Sequence, residues 1–317
     1  MREAVLDLRR LRVLLELTRR GTMRQVAAAT GYSPSAVSAQ LAALERESGA
    51  PLLERSGRGV RLTPAGRRLS EHARDILAAV DAARADLAHD ADPVGVVRVA
   101  AYASTLEADC LPVARALRAS HPRLHLELQE REPGEAFALL LDGDIDLALV
   151  YDYGLAPRPP RDGVRARQVC EVPMVLAVPR DVGPDVRGPQ DLALLRDEPW
   201  VVNSRGSDDD ELANRLCTRA GFTPRVVHRA DSLDLLQAIV AAGLGVALLP
   251  AFVAPQPDVR FVPLTGTGAS RRMWIATRPG HEDWPPVALV ARLVAEHARE
   301  AVAALGGSVV DGTVVDG

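Results

Sequence analysis

The sequence predicts a multidomain α+β chain, with a small helical head and hairpin joined through one long helix to a larger α/β body. Three observations predict it. Residues 21–66 hold two short capped helical segments around a glycine turn, then a glycine-flanked hairpin carrying arginines. Residues 69–87 place apolar side chains at alternating four- and three-residue steps. Beyond Pro93, β-branched runs alternate with amphipathic segments, the signature of α/β layers.

Taken in order, residues 7–19 form a helix that turns Leu8, Leu11, Leu14, Leu15 and Thr18 inward, under the next two helices. The first of these opens at Thr22 with Gln25 three residues on, a capping box, and stops at Gly31 after a run of small residues. Ser33 reads as the following N-cap with Pro34 at the first helical position, where a missing amide costs nothing. Val37, Leu41 and Leu44 give this helix one apolar stripe. Its other face carries Ser35, Ser38, Ala39, Ala42 and Arg46, side chains that are small or polar and suit insertion into a groove. Helix, tight turn and second helix is the pattern whose second helix enters the DNA major groove. An ordinary helical hairpin with serine caps competes with this reading. The hairpin after the second helix weighs against it. Residues 51–53 and 60–62 read as strands around a tip that holds Arg55 and Arg58 outward, suited to phosphate or minor-groove contact.

Ala27, Ser33, Ala36, Val37, Ser38, Leu44, Glu45, Leu52, Leu53, Arg55, Leu62, Thr63, Ala65 and Gly66 stand in order. In this, residues 21–66 resemble the amino-terminal signature of the LysR-type transcriptional regulators. The resemblance implies a winged helix-turn-helix over 1–63, with Ser33, Pro34, Ser35, Ser38, Ala39, Arg46, Arg55 and Arg58 at the DNA. Four positions depart from the pattern. Pro34 replaces a usual glutamine, Ala39 a common arginine, Val26 an alanine and Thr30 a leucine. With fewer hydrogen-bonding groups on this helix, the wing, thymine methyls and DNA shape carry more of the specificity.

Thr63-Pro64 is another cap and first-turn proline, opening a linker helix over 64–89. Leu69, Ala73, Ile76, Val80, Ala83 and Leu87 form a heptad seam within it. In the family this helix pairs two subunits. The resemblance therefore implies a homodimer, assembling further to a homotetramer, on a pseudo-palindromic double-stranded operator with half-sites roughly 34–36 Å apart.

Residues 90–93 read as an interdomain break, and strands and helices then alternate from 96 to 304. Buried strands favour mostly parallel sheets. A second run of strands starts near 170, so two lobes are expected: 93–169 with 266–304, and 170–265. This resembles the family's effector domain, similar to type 2 periplasmic binding proteins. Residues 305–317 are expected to be a disordered tail.

Ligands in α/β lobes collect where strands end and helices begin. Four such places stand out: Tyr102, Ser104 and Thr105; Tyr151 and Asp152; Asn203, Ser204 and Arg205; and Asp231. Ser104 with Glu107 also reads as a plain capping box, and residues 203–207 as a solvated turn. Arg205 would neutralise an anionic effector, whereas Asp152 or Asp231 would favour a cation.

Bulk composition limits the alternatives. The chain has 317 residues, 47% hydrophobic and 25% charged, which describes an ordinary globular protein. Charges interrupt each apolar run near the amino terminus, and no stretch approaches the ~20 apolar residues that span a bilayer. A cytoplasmic protein with no membrane partner is expected. Net charge is −4, but residues 1–68 hold 13 arginines against 6 acids, and the rest is acidic. That split suits a nucleic-acid-binding head on a body that avoids DNA. Cys110, Cys170 and Cys217 are far apart and read as structural thiols, a redox-sensing thiol being the lesser alternative. Neither a metal nor another cofactor is expected. The chain lacks a His-Glu-x-x-His motif, a Gly-x-Ser-x-Gly elbow and a phosphate loop, so an enzyme is not expected. The competing readings are a constitutive DNA-binding protein whose body only oligomerises, and a solute-binding or enzymatic α/β protein with an appended helical domain.

Overall fold

In the computed structural model the chain divides into two units, Met1–Ala91 and Asp92–Gly317. The described residues are 6–56, 59–86, 93–158, 161–180, 185–205, 208–304, 308–309 and 314–316.

The first unit begins with α1 (Leu8–Arg20), capped by the Asp7 side chain on the Arg9 amide. Leu11, Val13, Leu14 and Leu17 are its buried face, with Leu8 and Leu15 only half-buried. Thr18 turns its hydroxyl to Ser70 at 3.0 Å. α2 (Met23–Thr30) starts at Thr22 and α3 (Pro34–Ser48) at Ser33, each cap accepting from a backbone amide. Between them Gly31 has φ 72, the left-handed geometry that a glycine takes without a Cβ clash. β1 (Leu53–Ser56) and β2 (Gly59–Leu62) pair antiparallel, and α4 (Pro64–Asp86) comes next.

The ordered letters of the signature have a packing explanation. Glu45 accepts from the Leu52 and Leu53 amides at 2.8 and 3.0 Å, tying α3 to the hairpin. Thr63 donates to Pro51 O at 2.7 Å and accepts from the Gly66 amide at 3.0 Å. A Cβ on Gly66 would stand 2.2 Å from Leu52 O, so no other residue fits where α4 crosses the strand.

Along α4 the seam divides. Leu69 is half-buried and Ala73 fully buried against α1 and α3, and Leu77, outside the expected seam, is buried with them. Ile76 is 37% exposed and Val80 half-buried. The first turns of α4 thus serve the head's own core. The Ala83 side chain and Leu87 lie outside the described residues, as does Arg58.

The second unit is built on two sheets that share one long strand. The first has the order β4-β3-β5-β11-β6, from β3 (Gly95–Ala101), β4 (Leu124–Glu130), β5 (Leu147–Tyr153), β11 (Ser270–Thr277) and the first part of β6 (Arg165–Pro179). The second continues β6-β9-β7-β8, from β7 (Pro199–Val202), β8 (Arg225–Arg229) and β9 (Val246–Pro250), with β10 (Val259–Pro263) on the other edge of β6. β6 passes between sheets near Pro173, which pairs Ser270 in one while Met174 pairs Pro250 in the other. The crossing between lobes, expected near 169, is made inside this continuous strand at Pro173. Its first half is hard to read because Arg165, Arg167, Gln168 and Glu171 break the apolar run.

The expectation of mostly parallel sheets holds only in part. β3 with β4 and β5, and β7 with β8 and β9, are parallel, whereas β6, the strand that travels between the sheets, and its neighbour β11 pair antiparallel. α5 (Ala103–Thr105), a π-helical turn (Leu106–Cys110) and α6 (Leu111–Ser120) run on from β3 and, with α10 (Pro285–Ala304), cover one face of the first sheet. α7 (Pro133–Asp142) covers the other. α8 (Asp208–Arg219) and α9 (Leu233–Ala241) enclose the second sheet around Trp200 and Val201. The described residues of the tail form strands, contrary to the expected disorder: β12 (Ser308–Val309) and β13 (Val314–Asp316) pair antiparallel with β6. Their paired valines suit an otherwise open sheet edge.

Candidate functional site

On the head, Ser33, Pro34, Ser35, Ser38, Ala39, Arg46 and Arg55 are all exposed. The cause is the stripe of Val37, Leu41 and Leu44, which is buried and turns the opposite face of α3 outward. Ser33 serves chiefly as the cap, 3.2 Å from the Ala36 amide and 2.9 Å from the Ser35 hydroxyl. Tyr32, which no sequence pattern singles out, is 42% exposed beside the start of α3.

In the second unit, a cleft of about 620 Å³ opens between the two sheets. Tyr102, Ser104, Tyr151, Asn203, Arg205 and Asp231 line it, drawn from strand ends and the loops after them, far apart in sequence. Tyr102 and Tyr151 meet edge-on at 4.8 Å between ring centroids. Ser104 does not cap a helix, because the N-cap of α5 is Tyr102; its hydroxyl instead accepts from Arg271 Nη2 at 3.2 Å. The capping-box reading of Ser104 and Glu107 is therefore corrected.

Three expected residues are placed elsewhere. Thr105 is buried outside the cleft lining. Asp152 is 4% exposed and accepts from Arg272 Nε and Nη2 at 2.8 and 2.5 Å, from Trp274 Nε1 at 2.9 Å and from the Arg158 amide at 2.9 Å. The strand register pairs Asp152 with Arg272, so this carboxylate holds β5 to β11 and faces no ligand space. Ser204 is exposed and donates to Asp231, fixing the loop beside the cleft. The acid run 208–210 is more than a helix-dipole complement. Asp208 pairs with Arg158, Asp210 with Arg229, and Asp209 accepts from the Tyr153 hydroxyl, burial raising its pKa.

The residue that dominates the cleft is one that the sequence pattern did not mark. Arg271 is 9% exposed, and its guanidinium carbon lies 4.8, 5.3 and 5.1 Å from the ring centroids of Tyr102, Tyr151 and Phe252. Three aromatic faces hold the charge away from bulk water, and Ser104 takes one donor. Strand alternation sends adjacent arginines to opposite faces of β11, one to Asp152 and one to the cleft. β11 starts at Ser270, so extending the apolar run Met273–Thr277 back over the two arginines is the signal that would have found it.

Arg205 reaches Glu130, at the end of β4, and Asp231 Oδ2 at 3.0 Å, so it ties the second sheet to the first across the cleft. Glu132 accepts from the Tyr151 hydroxyl at 2.8 Å. Burial raises the Glu132 pKa, opposed by that hydrogen bond and the charges of Arg205 and Arg271. All three cysteines are buried, and burial pushes Cys110 and Cys217 up to about 12 and Cys170 to about 11, which favours inert thiols.

Two family models account for nearly the whole chain. Residues 8–67 match the bacterial regulatory helix-turn-helix protein model of the lysR family, and residues 90–299 match the LysR substrate binding domain. The chain belongs to the LysR family of transcriptional regulators. This family is one of regulators, not enzymes. Among LysR relatives, the uncharacterised HTH-type transcriptional regulator YnfL of Escherichia coli is 30% identical over 296 residues, spanning 88% of this chain and 95% of that protein. The transcriptional dual regulator GltC of Bacillus subtilis is 30% identical over 261 residues, spanning 81% and 84%. A full-length OxyR variant from Pseudomonas aeruginosa shares the fold with a TM-score of 0.70 at 20% identity, covering 92% of this chain and 97% of that one. No helix among the described residues is long and apolar enough to cross a membrane.

Proposed function

We propose that this LysR-family chain is a cytoplasmic, homo-oligomeric regulator that binds a pseudo-palindromic operator through α3 and the hairpin, and that a small molecule with a carboxylate enters the cleft of the second unit. The buried Arg271 carries the reading. A guanidinium desolvated by three rings and aimed into a cavity of about 620 Å³ is costly unless an anion repays it. Ser104 adds a hydroxyl beside it. Since Arg205, Asp231 and Glu130 bridge the two sheets over the same space, a bound molecule that competes for them changes the spacing of the lobes. That displacement is the step by which binding in the cleft reaches the DNA-binding head. On the head, the exposed small side chains of α3 are read against base edges, and Arg46 and Arg55 contact phosphates.

The test is a thermal-shift screen of the full chain against small carboxylic acids and amino acids. A ligand at a hundred times its Kd should stabilise the second unit by about 2.7 kcal/mol. Arg271→Gln should lower its affinity by about 1.5–3 kcal/mol, roughly ten- to a hundredfold, with an unchanged circular dichroism spectrum. Ser104→Ala should lower it less. A ligand whose affinity is indifferent to both substitutions would place the effector elsewhere.

A further inference from the structure

The charges that line the cleft do not balance. Glu107, Glu130, Glu132, Asp231 and Asp234 are five carboxylates against the two guanidiniums of Arg205 and Arg271. Arg205 is already held between Glu130 and Asp231, and Asp231 also accepts from the Ser204 amide at 3.2 Å. What remains for a ligand is one cation, Arg271, and three acids. Of these, Glu132 has the Tyr151 hydroxyl, while the Glu107 and Asp234 side chains hydrogen-bond to no described residue. A simple carboxylate bound to Arg271 would face these acids without compensation, and a dicarboxylate would fare worse.

We propose that the effector is amphoteric: its carboxylate pairs with Arg271 and Ser104, and a protonated amine is received by Glu107, Glu132 and Asp234. The inference rests on the cleft being the effector site and names the class of molecule that fits it. The two kinds of group come from different elements. Arg271 belongs to β11, Glu107 to the π-helical turn, Glu132 to the residue before α7 and Asp234 to α9. An ion that bridges them contacts both sheets' helices at once. Phe252, Leu233 and Val253 supply an apolar lining for the body of the molecule between its charged ends. Amphoteric recognition also gives specificity, since each end rejects the analogue lacking its charge by leaving a group unpaired.

Calorimetric titration of the full chain with three matched sets of probes tests this. The sets are leucine, 4-methylpentanoate and 3-methylbutylamine; phenylalanine, 3-phenylpropanoate and 2-phenylethylamine; and 5-aminopentanoate, pentanoate and pentylamine. In at least one set the amphoteric member should bind about tenfold or more tighter than both singly charged members. The double variant Glu107→Gln with Asp234→Asn, both at exposed positions, should erase that preference, because the amphoteric member loses its amine contacts while the singly charged carboxylate, now less repelled, binds as tightly as before or more tightly. If a carboxylate binds as tightly as its amphoteric partner, the amphoteric inference falls and the effector cleft stands. If no probe of any set binds, the inference falls as well, and the wider screen of carboxylic acids then decides the fate of the cleft.

Discussion

At the residue scale, two aspartates with the same sequence credentials have opposite fates. Asp152 and Asp231 both come after apolar stretches, yet one is sealed between Arg272 and Trp274 and the other lines the cleft. Strand register decides this, and register is a property of two strands together, so one strand's letters do not carry it. Arg271 is hidden for another reason, since it stands before the apolar run at the charged start of β11. Asp146 is another buried carboxylate and gives a pH prediction. Burial alone would raise its pKa, but the His281 ring N–H at 3.2 Å, the Arg98 amide at 2.8 Å and the nearby Arg278 charge outweigh it and hold the pKa below the usual value. A carboxyl whose folded pKa is depressed stabilises the fold above its unfolded pKa and loses that contribution as pH falls through the folded value. Asp146→Asn should therefore cost on the order of 1–3 kcal/mol at neutral pH, and the gap from the parent chain should close below about pH 4. Urea unfolding at a series of pH values checks it. A gap that widens on acidification would contradict the assignment.

At the scale of elements, the head was the most legible part. Caps, a glycine turn and a short-range apolar stripe are all local, and Thr22, Ser33 and Gly31 do in the structure what their types suggest. Long-range choices were less legible. The heptad letters of α4 did not show that Ala73 and Leu77 belong to the head's core while Ile76 stays outside. β10 was not foreseen at all, since Pro257, Asp258 and Arg260 dilute a five-residue strand whose partner is β6. The division of α4 yields a paired test. Ile76→Asp should leave the head's melting intact and dissociate the dimer in sedimentation, because the side chain is exposed within one chain. Leu77→Asp should instead destabilise the head by on the order of 3 kcal/mol, through a buried charge in an apolar cluster. Ile76→Asp with an unchanged sedimentation profile would remove this face of α4 from the dimer.

At the scale of the whole molecule, charge and function divide along the same line. The first 68 residues are strongly basic and the remainder acidic, and the cleft repeats that acidity with five carboxylates against two arginines. A long-range field of this kind presents the head to DNA and keeps the body off it. The two-unit plan was readable from composition and from the change of periodicity after Pro93. The passage of β6 through both sheets was not, because the polar residues in the first half of this fifteen-residue strand leave only its apolar second half readable. The central claim joins the ends of the molecule: the head reads a two-half-site sequence, and occupation of the cleft alters that reading. Selection of bound duplexes from a random pool by the full chain, repeated with a saturating cleft ligand, tests it most directly. The account predicts an enriched motif of two inverted half-sites about one helical turn apart, roughly 34–36 Å, whose affinity or spacing preference shifts when the ligand is present and does not shift in Arg271→Gln. Enrichment of no motif, or of one whose binding is the same with and without the ligand, would contradict it.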